Sequence, residues 1–196
     1  MDEDAGKWYT NTKEICKSAY SRISMLFKLK YVGVGTEDLL EIYSLFIRSR
    51  AEYLSVVWHS SLTLQQCQKI ENIQKTSLKI ILGENYTEMT AFEELSVRRQ
   101  KRCLSFAKKS LNYPIGASMF PQNHHHDQNL RTREKYTVNF AHTESYKHSA
   151  VPYCQNLLNA DARESAARDR ARQAAAAGGR VDEEGVGGVM GNRNKG

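Results

Sequence analysis

The chain has 196 residues and a net charge of +6, with 28 Lys and Arg against 22 Asp and Glu. One domain of this size can bury about 70% of its unfolded surface, so a core is within reach without staples. The absence of an apolar run of about 18 residues argues against a spanning helix. The lack of an apolar leader ahead of four scattered cysteines argues against a secreted disulfide framework and for an intracellular protein, nuclear or cytoplasmic.

The first 112 residues contain no proline and read as helix and turn. A first helix is expected from about Thr12 to Lys30, ended by Gly33 and Gly35. Thr36 then offers an N-cap oxygen, with Glu37 and Asp38 in a first turn that favours negative charge. The second helix carries Leu40, Tyr43, Ile47, Ala51, Leu54 and Trp58 in one apolar phase. Glu37, Glu41, Ser44, Arg48, Glu52 and Ser55 share the other side, the pattern of a solvated stripe. This segment predicts one continuous, central helix. Trp58 is in phase with the core, and His59 at the helix end suits the dipole there as a partial positive charge.

Thr63 followed by Gln66 predicts a capping box at the start of a third helix, with Cys67, Ile70, Ile73, Ser77 and Ile81 inward and Gly83 as its stop. The short connection from His59 to Leu62 predicts that the second and third helices pair as an antiparallel hairpin. A fourth helix is expected from about Ala91 to Leu111, with Cys103, Leu104, Ala107 and Leu111 inward and Tyr113-Pro114 as its end. Residues 114–150 lack a clear period and predict an extended arm with one short strand near Tyr136 to Phe140. Beyond Asn159 the composition turns to Ala and Arg and then to Gly. The Ala run can prolong a helix, and Glu164 sits four residues before Arg168, but the segment has little to bury and is expected to be disordered in isolation.

These elements give an all-α fold, a small helical bundle of about four main helices with an extended C-terminal arm and a low-complexity tail. The expected divisions are residues 8–112, 113–159 and 160–196.

Charge singles out one region. Residues 1–60 balance at eight basic against eight acidic, whereas residues 61–112 hold nine against five. The nine are Lys69, Lys75, Lys79, Arg98, Arg99, Lys101, Arg102, Lys108 and Lys109. Arg98, Arg102, Ser105 and Lys109 fall on one line of the fourth helix, flanked by Lys101 and Lys108. Lys75 and Lys79, with Gln68 and Asn72, line the polar side of the third. Two adjacent helices would then present one positive surface to phosphates, against the plainer reading of a solvated face. His124 to His126 form a triplet without convergent partners, so no metal site is expected. No nucleophile elbow, H-E-x-x-H or phosphate-cradling glycine loop occurs, and neither a cofactor nor a small-molecule substrate is expected.

The stretch YSLFIRSRAEYLSVVWHSSLTLQQCQKIENIQKTSLKIILG, from Tyr43 to Gly83, resembles the region downstream of the catalytic core in non-LTR, jockey-like retrotransposon reverse transcriptases. WYTNTKEICKSAYSRISMLFKLKYVGV from Trp8, RRQKRCLSFAKKSL from Arg98, MFPQN from Met119 and NLRTREKYTVNFAHTESYKHSAVPYCQNLLN from Asn129 are similar to the same tail, so the resemblance spans Trp8 to Asn159. It implies a thumb-like helical domain whose basic face grips an RNA–DNA duplex by its backbone. Polymerases of this kind hold two metal ions about 4 Å apart on paired aspartates, and no Asp-Asp pair occurs in this chain. The resemblance therefore implies a truncated, non-enzymatic C-terminal fragment lacking the palm. A helical protein-interaction module and a relic reading frame are the alternatives.

Overall fold

The computed structural model describes residues 8–84, 86, 92–123 and 134–178, with side chains through Ala176. The expectations for His124 to His126, for Ala91 as the start of the fourth helix and for residues 179–196 lie outside the described residues. The fold is all-α. Among the described residues no strand forms, and no helix is long and apolar enough to cross a membrane.

The first helix, α1 (Tyr9–Tyr31), buries Thr12, Ile15, Ala19, Ile23 and Leu26, which recur every three or four residues along one stripe. Gly33, at φ +94°, takes a left-handed turn that a side chain would strain, so the chain reverses there. Gly35 rather than Thr36 is the N-cap of α2 (Thr36–Ile42), and no side chain caps it; Glu37 and Asp38 do occupy its first turn.

The continuous second helix does not form. After α2 comes a π-helical turn, Tyr43–Arg48, then the short α3 (Ser49–Glu52), a break, and α4 (Ser55–Trp58) running into a 3₁₀ turn, His59–Ser61. The buried residues Leu39, Tyr43, Ile47 and Ala51 are spaced by four. A regular helix of 3.6 residues per turn would rotate such a series off the core, and the wider π turn keeps it in line. Tyr53 is then extended and Leu54 left-handed at φ 49°, which swings Leu54 into solvent at 59% exposure. Trp58 Nε1–H donates to Tyr53 O at 2.9 Å across the break and anchors the buried indole. Glu52 and Ser55, expected on the solvated stripe, are buried instead.

The capping box is present: Thr63 Oγ1 accepts from Gln66 N at 3.3 Å and Gln66 Oε1 from Thr63 N at 2.9 Å. It opens α5 (Leu64–Leu82), which buries Ile70, Ile73, Ser77 and Ile81 as the period requires, and Gln66, Gln74 and Leu78 besides. The principal partner of α5 is α1, not the broken second segment, so the expected central hairpin is replaced by an α1–α5 pair. That pair is parallel. Tyr9, Thr12 and Cys16 meet Gln66 and Lys69 at one end, while Lys30 Nζ donates to Ile80 O and Ile81 O at 2.6 and 2.7 Å at the other. Tyr43 Oη–H reaches Gln74 Oε1 at 2.9 Å inside this core.

The fourth main helix, α6 (Leu95–Ser110), follows the non-helical residues 92–94 and buries Leu95, Arg99, Cys103 and Ala107. Pro114 opens α7 (Pro114–Met119), whose Gly116 lies against Ser110 O so closely that a Cβ there would overlap it. The expected strand near Tyr136 is reduced to one antiparallel bridge between Gln122 and Tyr136, supported by Asn123 N to Lys135 O and Thr137 N to Pro121 O, both 2.9 Å. Then come α8 (Glu144–Lys147), capped by Thr143, and α9 (Ala150–Gly178).

Cys103, Ala107, Phe120, Tyr136, Cys154 and Leu158 form a second apolar cluster, so the described residues 113–123 and 134–158 share one compact unit with the helices before them. The four cysteines are free, two buried and two half-buried. A second unit begins at Asn159. There the Ala- and Arg-rich stretch is helical, its side chains from Arg163 to Ala176 are exposed, and Glu164 pairs with Arg168 at 3.1 Å.

Candidate nucleic-acid interface

The helix α6 is built from sixteen residues that include Arg98, Arg99, Lys101, Arg102, Lys108 and Lys109 and no acid. At about 100° per residue the Leu95, Arg99, Cys103, Ala107 stripe points inward, and Arg98, Arg102, Ser105 and Lys109 form a line rotated away from it. The line forms as the spacing implies, but two of its cations are partnered. Glu52, 1% exposed, accepts from Arg98 Nε at 2.6 Å and from Arg102 Nη2 at 2.7 Å. One carboxylate shared by two guanidiniums leaves that cluster with a net positive charge of one. Lys101 pairs with Glu93 and stays 67% exposed.

Arg99, expected on the basic face, is not exposed there. Its side chain is 0% exposed, and its Nη2 donates to Glu71 Oε1 at 3.1 Å. Its Nε donates to His59 Nδ1 at 3.4 Å, and its guanidinium lies 5.8 Å from the Trp58 ring centroid. Buried cations persist when paired and hydrogen-bonded, and Arg99 is the hub of such a network between α4, α5 and α6. The same Glu71 accepts from Leu95 N at 3.0 Å, which satisfies an orphan amide at the start of α6 from a different helix.

Burial, reinforced by the Arg99 charge, pushes the His59 pKa down to about 4, so this imidazole is neutral near pH 7 and accepts from Arg99. The expectation of a positively charged His59 at a helix end is thereby overturned. Trp58 is core, as its phase implied. Burial also raises the thiols of Cys103 to about 11 and Cys154 to about 12, so both stay protonated at neutral pH.

On α5 the expected cations separate. Lys69 and Glu71 are two residues apart, about 200° around the helix, so Lys69 faces α1 while Glu71 meets α6. Lys75 and Lys79 share one exposed line on the α6 side, and Lys79 pairs with Glu84 at 2.8 Å. The exposed cations are Lys101, Arg102, Lys108 and Lys109 on α6 and Lys75 and Lys79 on α5; because α6 runs from Glu71 toward His59, away from Lys75 and Lys79, the two sets do not merge into the single surface expected.

No protein-family model, curated protein or solved structure matches this chain. The functional reading thus rests on the residues themselves. Phe106, 48% exposed and not singled out in the sequence, lies four residues after Arg102 and three before Lys109, hence beside those cations on the helix surface. Among the described residues no group of three His, Cys, Asp or Glu side chains converges as metal ligands.

Proposed function

We propose that this chain is a thumb-like C-terminal fragment of a non-LTR retrotransposon reverse transcriptase that binds an RNA–DNA duplex along its phosphate backbone and carries no polymerase activity of its own. The carrying observation is α6, where six cations and no acid occupy sixteen residues and Lys101, Arg102, Lys108 and Lys109 keep exposed side chains. Three carboxylates, Glu52, Glu71 and Glu93, meet this helix through Arg98, Arg102, Arg99 and Lys101. Ammonium and guanidinium groups on one face attract phosphates by releasing counterions, with little regard to sequence. Phe106 adds an aromatic face on which an unpaired base can stack.

The test is binding of the full chain to a labelled RNA–DNA duplex across a salt series. About four phosphate contacts would cost about 10²-fold in affinity between 50 and 200 mM salt. Binding that is absent, or indifferent to salt, would reject the proposal.

A second reading, a helical protein-interaction module, draws on α1. Tyr20, Phe27 and Tyr31 stand seven and four residues apart on one exposed line, with Tyr31 at 87% exposure. Exposed apolar stripes of this kind favour association. Concentration-dependent self-association or partner capture that survives high salt would favour this reading over phosphate binding.

A further inference from the structure

Along α1 the residues Tyr9, Lys13, Lys17, Tyr20, Ser24, Phe27 and Tyr31 follow one another at steps of three or four, so they form one line down the helix, and all seven are exposed. At 1.5 Å per residue the line runs for about 33 Å. Its four rings are 44%, 42%, 60% and 87% exposed in chain order. No acid and no aliphatic side chain lies on it, and Lys28 is exposed on its flank between Phe27 and Tyr31. Glu14, the single acid among the five cations of α1, stands about 100° around the helix from Lys13.

We propose that this line binds a single-stranded nucleic acid, its bases stacked on the rings and its phosphates held by Lys13, Lys17 and Lys28. The five cations of α1 divide by role. Lys30 donates to Ile80 O and Ile81 O, and Arg22 donates to Phe46 O, so both serve packing within the fold. Lys13, Lys17 and Lys28 are exposed and form no ion pair among the described residues, which leaves their charge for an anionic partner.

The rings narrow the choice of polyanion. Single apolar residues on a surface are ordinary, but four rings in register with lysines are not a scattering. Aromatic faces interleaved with cations suit bases and phosphates, and stacking tolerates any base. In a duplex the base faces are stacked on one another, so an unpaired strand alone offers them. A membrane surface would call for aliphatic depth, whereas Ile15, Ile23 and Leu26 of α1 are committed to the core. The inference stands apart from the reading of α6, because α1 and α6 meet different sides of α5, the one at Lys69 and the other at Glu71.

The experiment measures affinity of the full chain for a labelled oligothymidylate of about ten nucleotides across a salt series, with polyphosphate, phosphatidylserine vesicles and an RNA–DNA duplex as comparators. The strand should bind saturably and more tightly than polyphosphate or vesicles. Phe27→Leu, which keeps apolar bulk at an exposed position, should melt as the parent does yet bind the strand at least fivefold more weakly, while leaving duplex affinity unchanged. Phe27→Tyr should restore strand binding. Lys13→Ala/Lys17→Ala should make the salt slope for the strand shallower by about 1.4. Absent strand binding, equal binding of polyphosphate, tighter binding of vesicles, or a strand affinity indifferent to Phe27→Leu but lost in Lys108→Ala/Lys109→Ala would each overturn the assignment. Strand binding with these responses but no duplex binding would reject the α6 reading and leave this one standing.

Discussion

Replacing Glu71 by Ala should destabilise the fold far more than replacing its partner Arg99 by Met. The asymmetry follows from what each change leaves behind. Glu71→Ala strands the Arg99 guanidinium at 0% exposure. Removing one member of a buried pair costs about 3–5 kcal/mol. The variant also takes the acceptor from Leu95 N, worth about 1 kcal/mol as a helix cap. His59 Nδ1 and the Trp58 face still hold Arg99 and offset part of this loss, so the net expectation is about 3–4 kcal/mol. Arg99→Met removes the buried charge and keeps apolar volume. Glu71, at 15% exposure, then reaches water and retains its bond from Leu95 N, for a cost of about 1 kcal/mol. Urea denaturation followed by helical circular dichroism measures both. In a chain of this length, the Glu71 variant should melt about 6–16 °C lower and the Arg99 variant about 2–4 °C lower. Equal losses in the two variants, or a Glu71→Ala loss below about 1 kcal/mol, would refute the view that Glu71 compensates a buried cation.

Leu54→Gly should stabilise the protein by about 1 kcal/mol, because a left-handed leucine is strained and this one is 59% exposed, so little apolar contact is lost; thermal melting reads the gain. Gly116→Ala should cost about 1–3 kcal/mol, since its Cβ would overlap Ser110 O and push α7 from the end of α6, measured in the same way. For His59, the folded pKa near 4 lies below the unfolded 6.5. The unfolded chain therefore binds the extra proton between those values, and stability present at pH 7 is lost as pH falls through this window. With allowance for partial solvent access the loss by pH 5 should be about 1–2 kcal/mol, and a His59→Asn variant should lack this component in denaturation curves recorded from pH 7 to 5.

How much of this was legible varied with the range of the cause. The α5 start was readable because Thr63 and Gln66 satisfy each other's amides within four residues. The all-α class and the inward stripe of α5 followed from local period alone. The second helix misled because nothing in its sequence marks the interruption: no glycine or proline occurs between Thr36 and Trp58. The π turn and left-handed Leu54 reflect tertiary demands, namely the alignment of Leu39 through Ala51 on the core and the placing of Glu52 beneath two arginines. Arg99 sat four residues after Leu95 and four before Cys103, in the phase of the buried stripe. A basic residue in that phase becomes intelligible only once Glu71, twenty-eight positions earlier, is seen to meet it. The line of Arg98, Arg102, Ser105 and Lys109 was correctly drawn, whereas its partial neutralisation by Glu52 was hidden by the same long-range pairing.

The most direct test of the phosphate-binding account is the salt slope of RNA–DNA duplex affinity, compared among the parent chain, Lys108→Ala/Lys109→Ala and Arg99→Met. The account predicts a slope shallower by about 2 for the double lysine variant and unchanged for Arg99→Met, whose side chain is enclosed. A parent chain without salt-dependent binding, or a double variant with the parental slope, would contradict it.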